Sequence, residues 1–274
     1  MKIIPTPAKQ LHNIPYFRVT AGSRGVECID LPVYSLRVDR LPHGISALLV
    51  TSDLQGMEAL PGKKGGFKPG PRQLGEAAAE SLTEFCLAQG HSPKQVGILF
   101  TGDLHSDPTL SKRGGHGDVR SVWHAFRDHF AWAGGIAGNH DTFGSPAEQE
   151  AFLHEPNIYF LDHGHMKIRD LRIGGISGVM GSNQKPWRTP EPVFLERLGR
   201  ILATHSDLVL LHEGPDFPER GFDGKPQIRE ILEAAPPRTV VFGHRHWPTA
   251  DPVTLPNGTQ LLNTDAKAYL LTTK

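Results

Sequence analysis

The chain has 274 residues, 38% of them hydrophobic and 21% charged, a composition that suits a globular domain with its own core and excludes a disordered or fibrous chain. Twenty-nine basic residues balance twenty-nine acidic ones, so no net field points to nucleic acid or to an anionic membrane. Two cysteines, Cys28 and Cys86, are too few for a disulfide framework or a thiolate zinc site, and no stretch approaches the roughly 18 apolar residues that span a bilayer.

The opening segment, MKIIPTPAKQLHNIPYF, carries early prolines and no apolar core of signal-peptide length, so a soluble cytoplasmic protein is expected. Residues 1–44 read as an N-terminal extension with one or two edge strands near 26–39. ISALLVTSD (45–53) is a buried strand running into a loop. Leu74, Ala78, Leu82 and Phe85 lie at helical spacing, with Gly90 as the stop. VGILFTGD (96–103) repeats the strand-then-acid pattern. Asp118 is placed to cap a helix whose apolar face is Val119, Val122, Trp123, Phe126 and Phe130, and GGIAGNHD (134–141) ends a third strand.

Further strands are expected at 157–162 and in 166–181, the latter as a hairpin. Leu195, Leu198, Ile201 and Leu202 mark another helix. DLVLLHE (207–213) and TVVFGHRH (239–246) are buried strands, and 259–273 closes the chain with a strand pair. Strands alternating with helices predict an α/β domain covering 1–274. Two Gly- and Pro-rich segments, 56–72 and 112–118, read as irregular loops of the kind that carry function.

Five short segments end apolar runs: SDLQ (52–55), GDLH (102–105), GNHD (138–141), LLHE (210–213) and GHRH (243–246). In an α/β sheet such ends form the rim where ligands bind. Carboxylate, imidazole and amide oxygen, with no thiolate, suit a hard-to-borderline divalent metal. No G-x-S-x-G nucleophile signature is present.

In this order the five segments resemble the calcineurin-like metallophosphoesterase superfamily, whose pattern is D-x-H, G-D, G-N-H-[D/E], a lone His and G-H-x-H. The resemblance runs from residue 53 to 246. It implies a four-layer α/β/β/α sandwich of two mixed sheets flanked by helices. It also implies two divalent ions (Mn, Fe or Zn), with Asp103 bridging. Asp53, His246 and the residue at 55 would hold one ion, and Asn139, His212 and His244 the other. A metal-activated hydroxide would attack a phosphomonoester or phosphodiester, His140 would serve as general acid, and Asp141 would orient its ring. The expected partner is a small phosphorylated substrate, with no nucleic acid and no membrane; oligomeric state is left open.

One position departs from the pattern. Gln55 stands where the family has His, and it either ligates through its amide oxygen, holds a ligating water, or leaves the first site weak. The competing reading is therefore a non-catalytic scaffold on the same fold. His105 and Arg113 are candidate substrate contacts; for His105 the plain alternative is a solvent-facing loop residue. Lys63, Lys64, Lys68, Arg72 and Lys112 read equally well as a basic fringe or as solvated loop charge. Trp187 and Arg188 are placed at the tip of a specificity loop, 180–191, although a simply packed Trp is as reasonable. Of the fifteen histidines, all but His105, His140, His212, His244 and His246 read as surface or supporting residues, and 263–265 reads as a structural turn.

Overall fold

The computed structural model describes residues 1–20, 25–63, 65–112 and 114–273. Strands β1 (Lys9–Val19), β2 (Val26–Arg37), β3 (Ala47–Thr51), β4 (Met57–Pro61) and β5 (Phe67–Gln73) precede helix α1 (Leu74–Ala88) and β6 (Val96–Phe100). Next come β7 (Gly117–Asp118), α2 (Arg120–His129), β8 (Trp132–Gly135), β9 (Asp141–Thr142), α3 (Pro146–Leu153) and β10 (Ile158–Phe160). The second half begins with β11 (His163–Ile168), β12 (Leu171–Ile176), β13 (Val179–Met180), β14 (Arg188–Thr189) and α4 (Glu191–Ala203). It ends with β15 (Leu208–Glu213), α5 (Pro226–Ala234), β16 (Thr239–Gly243), β17 (Val253–Thr254), β18 (Gln260–Asn263) and β19 (Ala268–Thr272).

Two large sheets result. One has nine strands in the order β10-β8-β6-β3-β19-β2-β1-β4-β5, and the other six in the order β11-β12-β15-β16-β18-β17. Each is mixed: β3, β6, β8 and β10 run parallel, as do β12, β15, β16 and β18, while β19 joins β3 antiparallel.

The period-2 alternation of strand side chains explains the layering. Ala47 and Leu49 of β3 turn toward Leu82, Phe85, Trp123 and Phe126 of α1 and α2. Leu48 and Val50 turn the other way, toward Leu208, Leu210 and Val241 of the second sheet. Val209 and Leu211 then face Phe194, Leu198, Ile228 and Leu232 of α4 and α5. Three apolar layers thus separate four layers of structure, the expected α/β/β/α sandwich. Each fully buried side chain of this size contributes about 2 kcal/mol, which favours strands apolar on both faces in the middle of the stack.

Three regions differ from the sequence reading. The segment 56–72 is not an irregular loop: β4 and β5 pair antiparallel, and β4 joins β1 through Tyr16 and Glu58. Its Pro69 and Pro71 lie on β5, at the sheet edge, where a missing N–H breaks no ladder. The N-terminal strands are longer than expected and are not edge strands, because β2 lies between β19 and β1. Their half-polar faces hide that position from a local reading. Helices α3 and α5 are additional: α3 shows no clear period, whereas α5 is short but carries Ile228, Ile231 and Leu232 on one face.

Candidate metal centre

The five segments do converge. Asp53 follows β3, Asp103 follows β6, Asn139 follows β8, His212 lies in β15, and His244 and His246 follow β16. The two sheets therefore contribute donors from facing rims. Asp53, Asp103 and His244 all adopt left-handed backbone, with φ of 54°, 56° and 66°. Such conformations cost non-glycine residues about 1 kcal/mol or more and persist where surrounding structure enforces them.

Asp103 is the hub. Its Oδ1 accepts the His140 N–H at 2.9 Å. Its Oδ2 accepts from Gln55 Nε2 at 3.2 Å and lies 3.4 Å from His212 Nε2 and 3.9 Å from His140 Nε2. Burial alone would raise this carboxyl, but the His212 and His140 imidazoles and the His140 N–H hold it down at about 2. Glycine is required beside it, since a Cβ at Gly138 would collide with Asp103 Oδ1 and one at Gly243 with Asp53 Oδ2.

The donors of Asp103, His212 and His244 all lie within 4.8 Å of one another. His212 Nδ1 donates to the Thr101 carbonyl at 2.7 Å, which leaves Nε2 turned toward Asp103. His212 Nε2 and Asn139 Oδ1 are buried with no hydrogen-bond partner. Buried polar atoms are rarely left so, and a divalent cation accepting one nitrogen and one amide oxygen beside a carboxylate would satisfy both. Burial lowers His212, but Asp103 and Asp53 push it up to about 10, while burial and the His212 charge lower His244 to about 3.

A second group adjoins the first. Asp53, Gln55 and His246 line a cavity of about 290 Å³ together with Tyr16, Arg18, Asp265 and Ala266. Asp53 Oδ2 accepts from Ser52 Oγ at 2.6 Å and from the His244 N–H at 3.0 Å. His246 Nδ1 lies 3.0 Å from Asp265 Oδ2.

His140 sits across from these groups. Its Nδ1 is 3.1 Å from Gly115 O and 3.3 Å from Gly115 N, so the ring has a backbone partner whether or not Nδ1 is protonated. His116 stacks on it, ring centroids 5.1 Å apart. Asp141 departs from the role expected of it. Its carboxylate accepts the N–H groups of Gly138, Asp103 and Leu104 at 2.8–2.9 Å and so organises the loops, while the His140 ring is held by Gly115.

The family profile described as calcineurin-like phosphoesterase matches residues 47–248. The chain belongs to that family. This calcineurin-like phosphoesterase is also similar in fold to TT1561 of Thermus thermophilus, at 13% identity and a TM-score of 0.55, over 84% of this chain and 100% of that one. A hypothetical protein from the same organism is 17% identical with a TM-score of 0.46, over 81% of this chain and 76% of that one. No curated protein matches. Membership carries metal-dependent phosphoester hydrolysis in general terms, and no helix among the described residues is long and apolar enough to cross a membrane.

Several expectations about the surroundings of this phosphoesterase site change. His105 is not a solvent-facing loop residue: its ring packs where a Gly117 Cβ would stand, and its Nδ1 is buried without a partner. Trp187 is packed against Phe143 and Phe160 and donates through Nε1 to the Asp141 carbonyl at 2.7 Å. Arg72 is engaged by Glu58 and Glu80 and so is not free to attract phosphate. Arg113 and Lys64 lie outside the described residues. Missed from sequence were His116 and Asp265. The Gly-rich stretch around His116 was the only local signal for the first; nothing local marked the second.

Proposed function

We propose that this chain is a two-metal phosphoesterase acting on a small phosphorylated substrate in the cytoplasm. In this reading Asp53, Gln55, Asp103 and His246 hold one divalent ion, and Asp103, Asn139, His212 and His244 the other. The observation that carries it is the buried cluster of Asp103, His212 and His244, whose donor atoms lie within 4.8 Å of one another, with the buried Asn139 Oδ1, which has no hydrogen-bond partner, on the loop that also carries His140. When bound, the ions would supply positive charge to the phosphoryl oxygens and acidify a water near neutral pH.

The chain's own groups have distinct tasks. Asp103 presents one carboxylate to both halves of the site, and Gln55 reaches it from the side where the family has a histidine. His140, held at Nδ1 by Gly115, turns Nε2 toward Asp103 and would deliver its proton to the leaving oxygen as the ester bond breaks. His116 stacks on one face of this donor. Intact His140 and Asp103 favour an enzyme over a scaffold. The free thiols Cys28 and Cys86 accord with a reducing compartment.

The test is hydrolysis of p-nitrophenyl phosphate and bis(p-nitrophenyl) phosphate by Mn²⁺-loaded protein. Asp103→Asn should lose turnover by orders of magnitude on the preferred ester. Undiminished hydrolysis by that variant sinks the mechanism, and no hydrolysis by the wild type with two ions bound favours the scaffold.

A further inference from the structure

We propose that Asp265 is a positioning residue of the metal centre, supplying through His246 what Gln55 does not. The inference rests on the two-metal reading above, but Asp265 lies beyond the matched residues 47–248, so nothing in the family match assigns it a role.

Three independent observations place it there. First, the backbone pairs Ser52 with Asp265 in a parallel bridge, so residue 265 lies beside the strand end that carries Asp53. Second, Asp265 Oδ2 is 3.0 Å from His246 Nδ1. An Nδ1–H donated to this carboxylate leaves the lone pair on Nε2, the tautomer a ligand needs, and makes that nitrogen a stronger donor. Third, Asp265 lines the same cavity of about 290 Å³ as Asp53, Gln55 and His246.

The need for such a residue follows from the chemistry. A glutamine at 55 offers a neutral amide oxygen, a poorer donor than imidazole. The His246 side chain is 66% exposed, so packing does not hold its ring and a specific partner must. The turn bearing Asp265 is itself fixed, because the buried Lys267 Nζ donates to Asn263 Oδ1 at 3.1 Å and to Trp247 O at 3.0 Å. A carboxylate on that rigid turn can orient an exposed histidine and add negative charge on the side of the site where a ligand is weak.

The test reads metal binding rather than turnover, so it stands apart from whether any ester is hydrolysed. Mn²⁺ is titrated calorimetrically into metal-free wild type, Asp265→Asn, and Asp265→Asn combined with Gln55→His. The wild type should take up two ions. Asp265→Asn should weaken one of them about 10- to 100-fold, leave the other within about twofold, and keep the metal-free melting temperature. Adding Gln55→His should recover most of the loss. Two ions bound by Asp265→Asn at wild-type affinity overturns the proposal. So does equal weakening of both ions with a lowered melting temperature, and so does a wild type that binds fewer than two. A measurement on the unaltered chain covers the case in which Asp265→Asn fails to fold. Ring ¹⁵N shifts should show His246 protonated at Nδ1, with Nε2 shifting on Zn²⁺ addition; an Nε2–H tautomer that ignores Zn²⁺ refutes it.

Discussion

The Asp141 carboxylate accepts the backbone N–H of Asp103 at 2.9 Å. With Gly138 and Leu104 as its other donors, one fully buried side chain ties the loop after β8 to the loop after β6. Asp141→Ala would leave three buried N–H groups unpaired, at a cost of about 3–9 kcal/mol in all. Urea unfolding should register that loss, and bound metal should fall with it, since the same loops carry Asp103 and Asn139. A variant with wild-type stability would show that water replaces the carboxylate.

The position of His140 makes a separate forecast. His140→Ala should keep its metal content, because no donor of the proposed ligand set is removed. Turnover should fall about 10²- to 10⁴-fold on an alkyl phosphate. The loss should be smaller on p-nitrophenyl phosphate, whose leaving oxygen needs little protonation. Equal losses on both esters, in steady-state kinetics, would remove His140 from the general-acid role.

Gly243 gives a steric test. A methyl group there meets Asp53 Oδ2 and Ser52, so Gly243→Ala should displace the Asp53 carboxylate. Overpacking of this kind costs about 1–3 kcal/mol. The melting temperature should drop, and metal stoichiometry measured by elemental analysis should fall below that of the wild type.

Asp207 offers a pH dependence far from the metal centre. Its carboxylate accepts from the Arg172 N–H at 2.9 Å and pairs with Arg40. Burial works against the charged form, yet these partners outweigh it and hold the group below its ordinary value. A depressed folded-state pKa contributes stability above the unfolded value of about 3.9, and that stability disappears as pH falls through the folded value. The difference in unfolding free energy between wild type and Asp207→Asn should therefore be about 2 kcal/mol at pH 5, its value above that varying with the charge of the Met1 amine, 3.8 Å from the same carboxylate. Below pH 4 it should shrink. A difference independent of pH down to pH 2 would contradict this.

The strand-end donors were legible without a structure because both parts of the signal are local. An apolar run such as ISALLV or VGILF has few fates in water other than a buried strand, and the polar residue that ends it must stand at the rim. Asp53, Asp103, Asn139, His212, His244 and His246 could be found that way. The sandwich could be expected because the order of those runs resembled a known pattern. What pairing decided was invisible locally. The β1–β2 pair has half-polar faces that read as an edge, yet it sits inside the nine-stranded sheet because β19, more than two hundred residues along the chain, closes on it. Asp141 meets Asp103, His116 meets His140, and Asp265 meets His246 only after the loops have been brought together by strands that neighbour in space rather than in sequence. The sequence by itself determined which polar residues stand at the strand ends, since burial acts along each strand. Tertiary structure alone decided which side chains hold them in place, because a hydrogen bond between distant loops leaves no period in either one.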